Sequence, residues 1–185
     1  MRIIAGQAKG RKLKSVNTAQ VRPTTDRVKE AVFNILGAAV NGTIVLDLYS
    51  GFGGLGLEAL SRQAARAVFI EKHYKNAAII KENIALCGFE EQARVMITDV
   101  FNYLQEPQHK FDIIFMDPPY GRKLVNKTIR AIISAQLLTT TGLIIIESEQ
   151  NTEINKYQEL KIIKDKNYGD TKISIYQLKD DNNGN

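Results

Sequence analysis

Between residues 43 and 150, short apolar runs alternate with longer stretches of helical period, and this alternation constrains the fold more than any other feature. The runs are TIVLDLY, AVFIE, ARVMITD, FDIIFMD and LIIIES. Each is strand-sized and nearly continuous in apolar residues, the pattern of strands buried on both faces. Between them GLEALSRQ, NAAIIKENIALCG, VFNYLQ and a segment striped by Ile129, Ile132 and Ile133 read as helices. Such an order means a mostly parallel sheet with helices on both sides. Two last segments, LKIIKDK and KISIYQL, flank NYGDT and predict a terminal hairpin at one sheet edge. With 185 residues and 44% hydrophobic content, the chain can fill one full core without staples.

Ahead of this unit, RIIAG and RKLKSV read as two short strands around Gly10, with Ile3, Leu13 and Val16 as apolar contacts. In the connector VRPTTD, Pro23 pushes Arg22 towards an extended conformation. Asp26 or Thr25 then caps a helix whose Val28, Val32, Ile35 and Leu36 share a face, ended by Gly37 or Gly42. Charge is concentrated in this region. The first 30 residues hold eight Lys and Arg against two Asp and Glu, which leaves 17 against 18 in the rest. A basic segment on a near-neutral body suits a polyanion, most often nucleic acid. Other classes are poorly served. No apolar run reaches the roughly 18 residues of a membrane span, and MRIIAGQAKG has no signal-peptide apolar region. Cys87 is the single cysteine, so neither an internal disulfide nor a cysteine-rich metal site is expected, and a cytoplasmic location follows. His73 and His109 read as surface residues, and no P-loop or H-E-x-x-H motif is present.

DLYSGFGGLG, at 47–56, matches the dinucleotide fingerprint G-x-G-x-x-G with Gly51, Gly53 and Gly56. A carboxylate at Asp47, four residues before Gly51, would repel a pyrophosphate but could accept from a ligand ammonium group. S-adenosylmethionine carries an amino group and a sulfonium charge and has no phosphate. Glu71 could accept from both ribose hydroxyls, and Asp99 could meet the adenine edge. Asp47, Glu71, Asp99 and Asp117 close four consecutive strands; helix capping explains any one of them, whereas four on the ligand-bearing edge point to a nucleoside cofactor. Glu147 and Glu149 end the fifth strand and read as structural.

FDIIFMDPPYG carries the chemistry. Asp117 offers a side-chain oxygen, and Pro118 and Pro119 stiffen a backbone whose carbonyls have no intrahelical role. Two acceptors of this kind orient one exocyclic NH2 and draw its lone pair out of conjugation, readying it to attack a methyl on sulfur. Tyr120 supplies a face on which a base stacks, worth roughly 1–3 kcal/mol.

With RIIAGQAKGRKL, RPTTDRVKEAVFNIL, DLYSGFGGLGLEALSR, IEKHYKNAAIIKENI, DIIFMDPPYG and YGDTKISIYQL, the chain resembles, over nearly its full length, the RsmD family of bacterial 16S rRNA guanine-N2 methyltransferases. The resemblance implies a Rossmann-like class I fold with a mostly parallel seven-stranded sheet and a basic N-terminal hairpin. It implies an extension over 1–21, a methyltransferase domain over 22–180 and a frayed tail at 181–185. Asp47, Tyr49, Gly51, Gly53, Glu71, Asp99 and Val100 would hold S-adenosylmethionine, with S-adenosylhomocysteine as product and no metal. Asp117, Pro118, Pro119 and Tyr120 would hold the guanine. Arg2, Lys9, Arg11 and Lys12 would grip rRNA, while Arg22 and Thr24 close over the site or hold phosphate. The partner would be 16S rRNA within the 30S subunit or its precursor, met by a monomer. Two positions depart from the family pattern. Ser50-Gly51-Phe52-Gly53 replaces Ala-Gly-Ser-Gly, which puts a bulky Phe52 beside the methionine end of the cofactor, and Arg62-Gln63-Ala64 replaces Arg-Gly-Ala. Competing readings are a DNA adenine-N6 methyltransferase using the same D-P-P-Y chemistry, a glutamine methyltransferase, which usually has Asn in place of Asp117, a nicotinamide oxidoreductase, and a noncatalytic RNA-binding module.

Overall fold

The computed structural model describes residues 1–16, 26–106, 109–119 and 124–179. Strands β1 (Ile44–Leu48), β2 (Arg66–Glu71), β3 (Ala93–Ile97), β4 (Phe111–Met116), β5 (Leu138–Glu149), β6 (Leu160–Tyr168) and β7 (Thr171–Leu178) form one sheet in the order β3-β2-β1-β4-β5-β7-β6. The first five run parallel, and β7 lies antiparallel to both β5 and β6. The expected terminal hairpin is thus at the edge, with β6 outermost. The helices are α1 (Asp26–Leu36), α2 (Gly54–Ser61), α3 (Tyr74–Cys87), α4 (Val100–Gln105) and α5 (Leu124–Ser134), and a 3-10 turn at Gly37–Val40 follows α1.

Alternation along each strand sorts the core into two layers. Val45, Phe69, Ile113, Phe115 and Ile145 face one side, where Val32, Phe33, Leu57 and Ile80 of α1, α2 and α3 cover them. Leu46, Ile70, Ile114, Met116 and Ile146 face the other, under Val100 and Leu104 of α4 and Ile129 and Ile132 of α5. Among the described residues, no helix is long and apolar enough to cross a membrane.

The N-terminal segment doubles back on itself: Ile3 N donates to Arg11 O (2.9 Å), Gly10 N to Ile3 O (2.9 Å) and Leu13 N to Met1 O (3.1 Å). It is a short arch about the antiparallel bridge Arg2 to Lys12, and its turn donates several backbone groups to α2. Ile4 N and Ala5 N donate to Glu58 (2.7 and 3.0 Å), Gln7 N to Ser61 O (2.8 Å) and Ala8 N to Ser61 Oγ (3.0 Å). Gly6 is left-handed (φ 84°), and a Cβ there would stand 1.7 Å from Ser61 O, so only glycine permits this approach. Ile3, Ala8 and Leu13 are buried in the first core, whereas Val16, expected as a contact, is exposed. The arch is therefore a docked part of the domain. The proposed boundary at 21/22, the connector residues Arg22 and Thr24, and the tail at 181–185 lie outside the described residues.

Glu58 anchors this docking. Its fully buried carboxylate also receives Arg62 Nε (2.8 Å) and pairs with the equally buried Lys29 of α1 (3.5 Å). Lys29 Nζ in turn donates to Arg2 O. Burial pushes the Lys29 pKa down, while Glu58 and Asp26 oppose the shift. Gln63, where the family pattern has glycine, takes φ 73° just beyond α2.

Removing one member of a buried pair strands the other. Glu58→Ala should therefore cost about 3–5 kcal/mol in urea unfolding, with part recovered by Lys29→Met on top of Glu58→Leu. A loss near zero for Glu58→Ala would remove its anchoring role.

Candidate active site

The carboxyl ends of β2, β1, β4 and β5 lie side by side. Asp47, Glu71, Asp117 and Glu147 each stand two residues beyond a first-core residue: Val45, Phe69, Phe115 and Ile145. Alternation therefore turns all four towards the α1–α2–α3 side of the sheet. Asp47 registers beside Phe69 and Phe115, and Met116 beside Ile146, so the next pair across β4 and β5 is Asp117 and Glu147. Asp47, Glu71 and Glu147 are buried, with relative exposures of 3%, 6% and 6%. Glu147, read from sequence as structural, is brought to the acidic edge. Its position, two residues after the buried Ile145, was the available signal.

The loop between β1 and α2 is built from backbone that few residues adopt. Tyr49 (φ 59°), Gly51 (φ 56°) and Gly53 (φ 84°) are all left-handed. For Tyr49 this costs roughly 1–2 kcal/mol, offset in part by a 2.7 Å hydrogen bond between its hydroxyl and Thr128 Oγ1 on α5. The third fingerprint glycine serves packing. A Cβ on Gly56 would lie 2.3 Å from Phe69 Cε1, so α2 reaches β2 only with glycine there. Phe52, in the same loop, is buried at 2% exposure.

The carboxylates expected to face a ligand also shape the loop. Asp47 Oδ2 accepts from Gly56 N (2.9 Å). Glu71 accepts from Gly51 N (3.1 Å) and His73 N (2.7 Å), one bond to each oxygen. Asp99 Oδ1 caps α4 by accepting from Phe101 N (2.8 Å), and Val100 is buried beside it. Oxygen lone pairs remain for further donors at each carboxylate.

Burial and neighbouring carboxylates raise the proton affinity of carboxyls at this edge. Burial first, and Glu71 second, push the Asp47 pKa up to about 7 against the opposing bond from Gly56. Asp117 is raised well above the usual carboxylate range by burial, then by Glu147 and Asp47. Burial pushes Tyr49 up to about 12, with Asp99 adding to the rise and Thr128 opposing it. A cation placed among these groups would reverse the penalty.

Asp117, Pro118 and Pro119 leave β4 as non-helical chain, with Pro118 buried and Pro119 exposed. Tyr120, Arg22 and Thr24 lie outside the described residues. Arg2, Lys9, Arg11 and Lys12 are exposed on the arch, Arg2 in a 3.1 Å ion pair with Asp26. His73 and His109 are exposed, and no group of three or more His, Cys, Asp or Glu among the described residues could hold a metal ion.

A glycine loop after β1, D-P-P after β4 and this strand order define a Rossmann-like methyltransferase. The solved Escherichia coli protein yhhF, a candidate methyltransferase, is similar at a TM-score of 0.88 and 34% identity, covering 96% of this chain and 97% of that one. Ribosomal RNA small subunit methyltransferase D of Haemophilus influenzae is 36% identical over 180 residues, 96% of this chain and 93% of its own. The protein of the same name in Escherichia coli K12 is 39% identical over 149 residues, 80% and 75% of the two chains. The family described as conserved hypothetical protein 95 matches residues 1–177, and the chain belongs to this family, the RsmD methyltransferases.

A carboxyl with a raised native pKa binds its proton more readily folded than unfolded. The stability it contributes is complete below about pH 4 and is lost as pH rises to about 7. Asp47→Asn, which keeps an oxygen for Gly56, should stabilise the ligand-free protein by roughly 1–3 kcal/mol at pH 8. The gain should vanish towards pH 4 in paired thermal melts.

Proposed function

We propose that the protein transfers the methyl group of S-adenosylmethionine to the exocyclic N2 of one guanine in 16S rRNA. It acts on the 30S subunit or its precursor, as a cytoplasmic monomer without a metal. The observation that carries this reading is the row of mutually repelling carboxyls at Asp47, Glu71, Asp117 and Glu147, at the sheet edge where open α/β folds bind ligands. Such an edge suits a ligand that brings positive charge and no phosphate. The pyrophosphate of a nicotinamide cofactor would add to the repulsion. The relatives named as ribosomal RNA small subunit methyltransferase D favour rRNA over duplex DNA.

S-adenosylmethionine supplies a methyl group made electrophilic by its sulfonium. Asp47, Tyr49, Gly51, Gly53, Glu71, Asp99 and Val100 would hold the cofactor. The rest is done by the protein's side chains and backbone. Asp117 and the Pro118 carbonyl accept from the guanine NH2 and orient its lone pair. Tyr120 stacks the extruded base, whose unstacking costs a few kcal/mol. Positive charge nearby favours the carboxylate form of Asp117, and once that charge is lost burial, Glu147 and Asp47 raise its proton affinity again, which suits it to take the proton released by the methylated nitrogen. Arg2, Lys9, Arg11 and Lys12, with Arg22 and Thr24, would bind phosphates in a salt-sensitive, sequence-independent way.

Methyl transfer from labelled S-adenosylmethionine should be assayed on 30S subunits lacking the modification, on naked 16S rRNA and on duplex DNA. N2-methylguanosine from 30S subunits is the expected product. N6-methyladenine from DNA would establish the DNA enzyme instead, and cofactor binding with no transfer would favour a binding module. Asp117→Ala should lower kcat by roughly 10²–10⁴-fold while the cofactor still binds.

A further inference from the structure

Asn83 lies on α3 and is fully buried. Its carboxamide accepts from Lys14 N (2.7 Å) and donates to Lys14 O (3.0 Å). Its second N–H donates to Phe52 O (3.1 Å), in the glycine loop between the left-handed Gly51 and Gly53. One side chain therefore grips a peptide of the N-terminal arch as a neighbouring strand would, and holds the loop main chain with the same nitrogen. Both amide hydrogens are used. The other polar tie of the arch to α3, Lys14 to Glu82 at 2.8 Å, is exposed on both sides and contributes little.

We propose that Asn83 is a positioning residue for methyl transfer, setting the glycine loop over the sheet edge from the docked arch so that the two move as one body. The inference rests on the glycine loop being the seat of the cofactor. Other ties of the loop, Ser50 N to Ile70 O (3.0 Å) and Gly51 N to Glu71 (3.1 Å), run to β2, whereas Asn83 holds Phe52 O from α3 between two left-handed glycines. Filling the loop with cofactor should quiet the arch, and cutting the carboxamide should loosen the loop while leaving Asp117 in place. The consequence is a rise in KM for the cofactor with a smaller change in kcat.

The test is amide hydrogen exchange of residues 11–16, with and without S-adenosylhomocysteine, in the wild type, Asn83→Leu and Asn83→Asp. Asn83→Asp keeps the acceptor for Lys14 N and loses both donors. In the wild type, ligand should slow exchange at Lys14 and its neighbours. Both variants should lose that slowing, and their KM for S-adenosylmethionine should rise about tenfold, the scale of one buried hydrogen bond. A purely structural role would lower the melting temperature yet leave the ligand-dependent slowing intact, and that result would overturn the proposal. Slowing absent from a wild type that binds S-adenosylhomocysteine would overturn it without any variant. Failure of the wild type to bind S-adenosylhomocysteine at all would instead sink the cofactor reading, and this inference with it.

Discussion

Glu58 stands where α1, α2 and the N-terminal arch meet, in a place water does not reach, so its charge must be satisfied by the chain. It is met by Lys29 from α1, Arg62 just past the end of α2, and the backbone N–H groups of Ile4 and Ala5. A carboxylate desolvated in this way is costly unless every partner arrives, which makes the docking of the arch and the packing of α1 interdependent. The rest of the site depends on that junction. With the arch seated, Lys14 lies against Asn83, and Asn83 reaches the glycine loop at Phe52. A surface feature by composition is thus tied, through buried polar groups, to the loop over the sheet edge.

The opposite electrostatic arrangement prevails at the sheet edge itself. There, burial with Glu147 and Asp47 raises the pKa of Asp117, and burial with Glu71 raises that of Asp47, beside a tyrosine held in left-handed backbone. Neither feature stabilises the fold, and the apolar layers on both faces of the sheet offset the cost. Strained backbone and raised pKa values gather where a ligand would relieve them. Lys29 and Glu58 show the contrast: a buried pair already neutralised within the chain has no charge left to offer a ligand.

Much of this was legible in the sequence because local pattern and global fold agree. Continuous apolar runs gave the parallel strands, alternation gave the edge hairpin of β6 and β7, and Gly56 stood where α2 must touch Phe69. The misreadings have equally specific causes. Val16 has the spacing of an apolar contact but is exposed, because the arch docks on α2 through Gly6 and the donors of Ile4 and Ala5. Glu147 looked like the end of a strand until the pairing of Met116 with Ile146 put it beside Asp117. Asn83 gave no signal, since a polar residue on an amphipathic helix reads as solvent-facing.

By itself, the sequence determined the class of fold, the order of its elements and the chemical kind of each residue at the sheet edge, because hydrophobic period, glycine and proline act over a few residues. What only the tertiary structure decided is which of those residues meet. The facing of Asp117 and Glu147, the satisfaction of Glu58 and the reach of Asn83 from arch to loop each join segments far apart in the chain. Those contacts follow from strand register and helix docking, which are set by the packing of the whole core and not by any local run of residues.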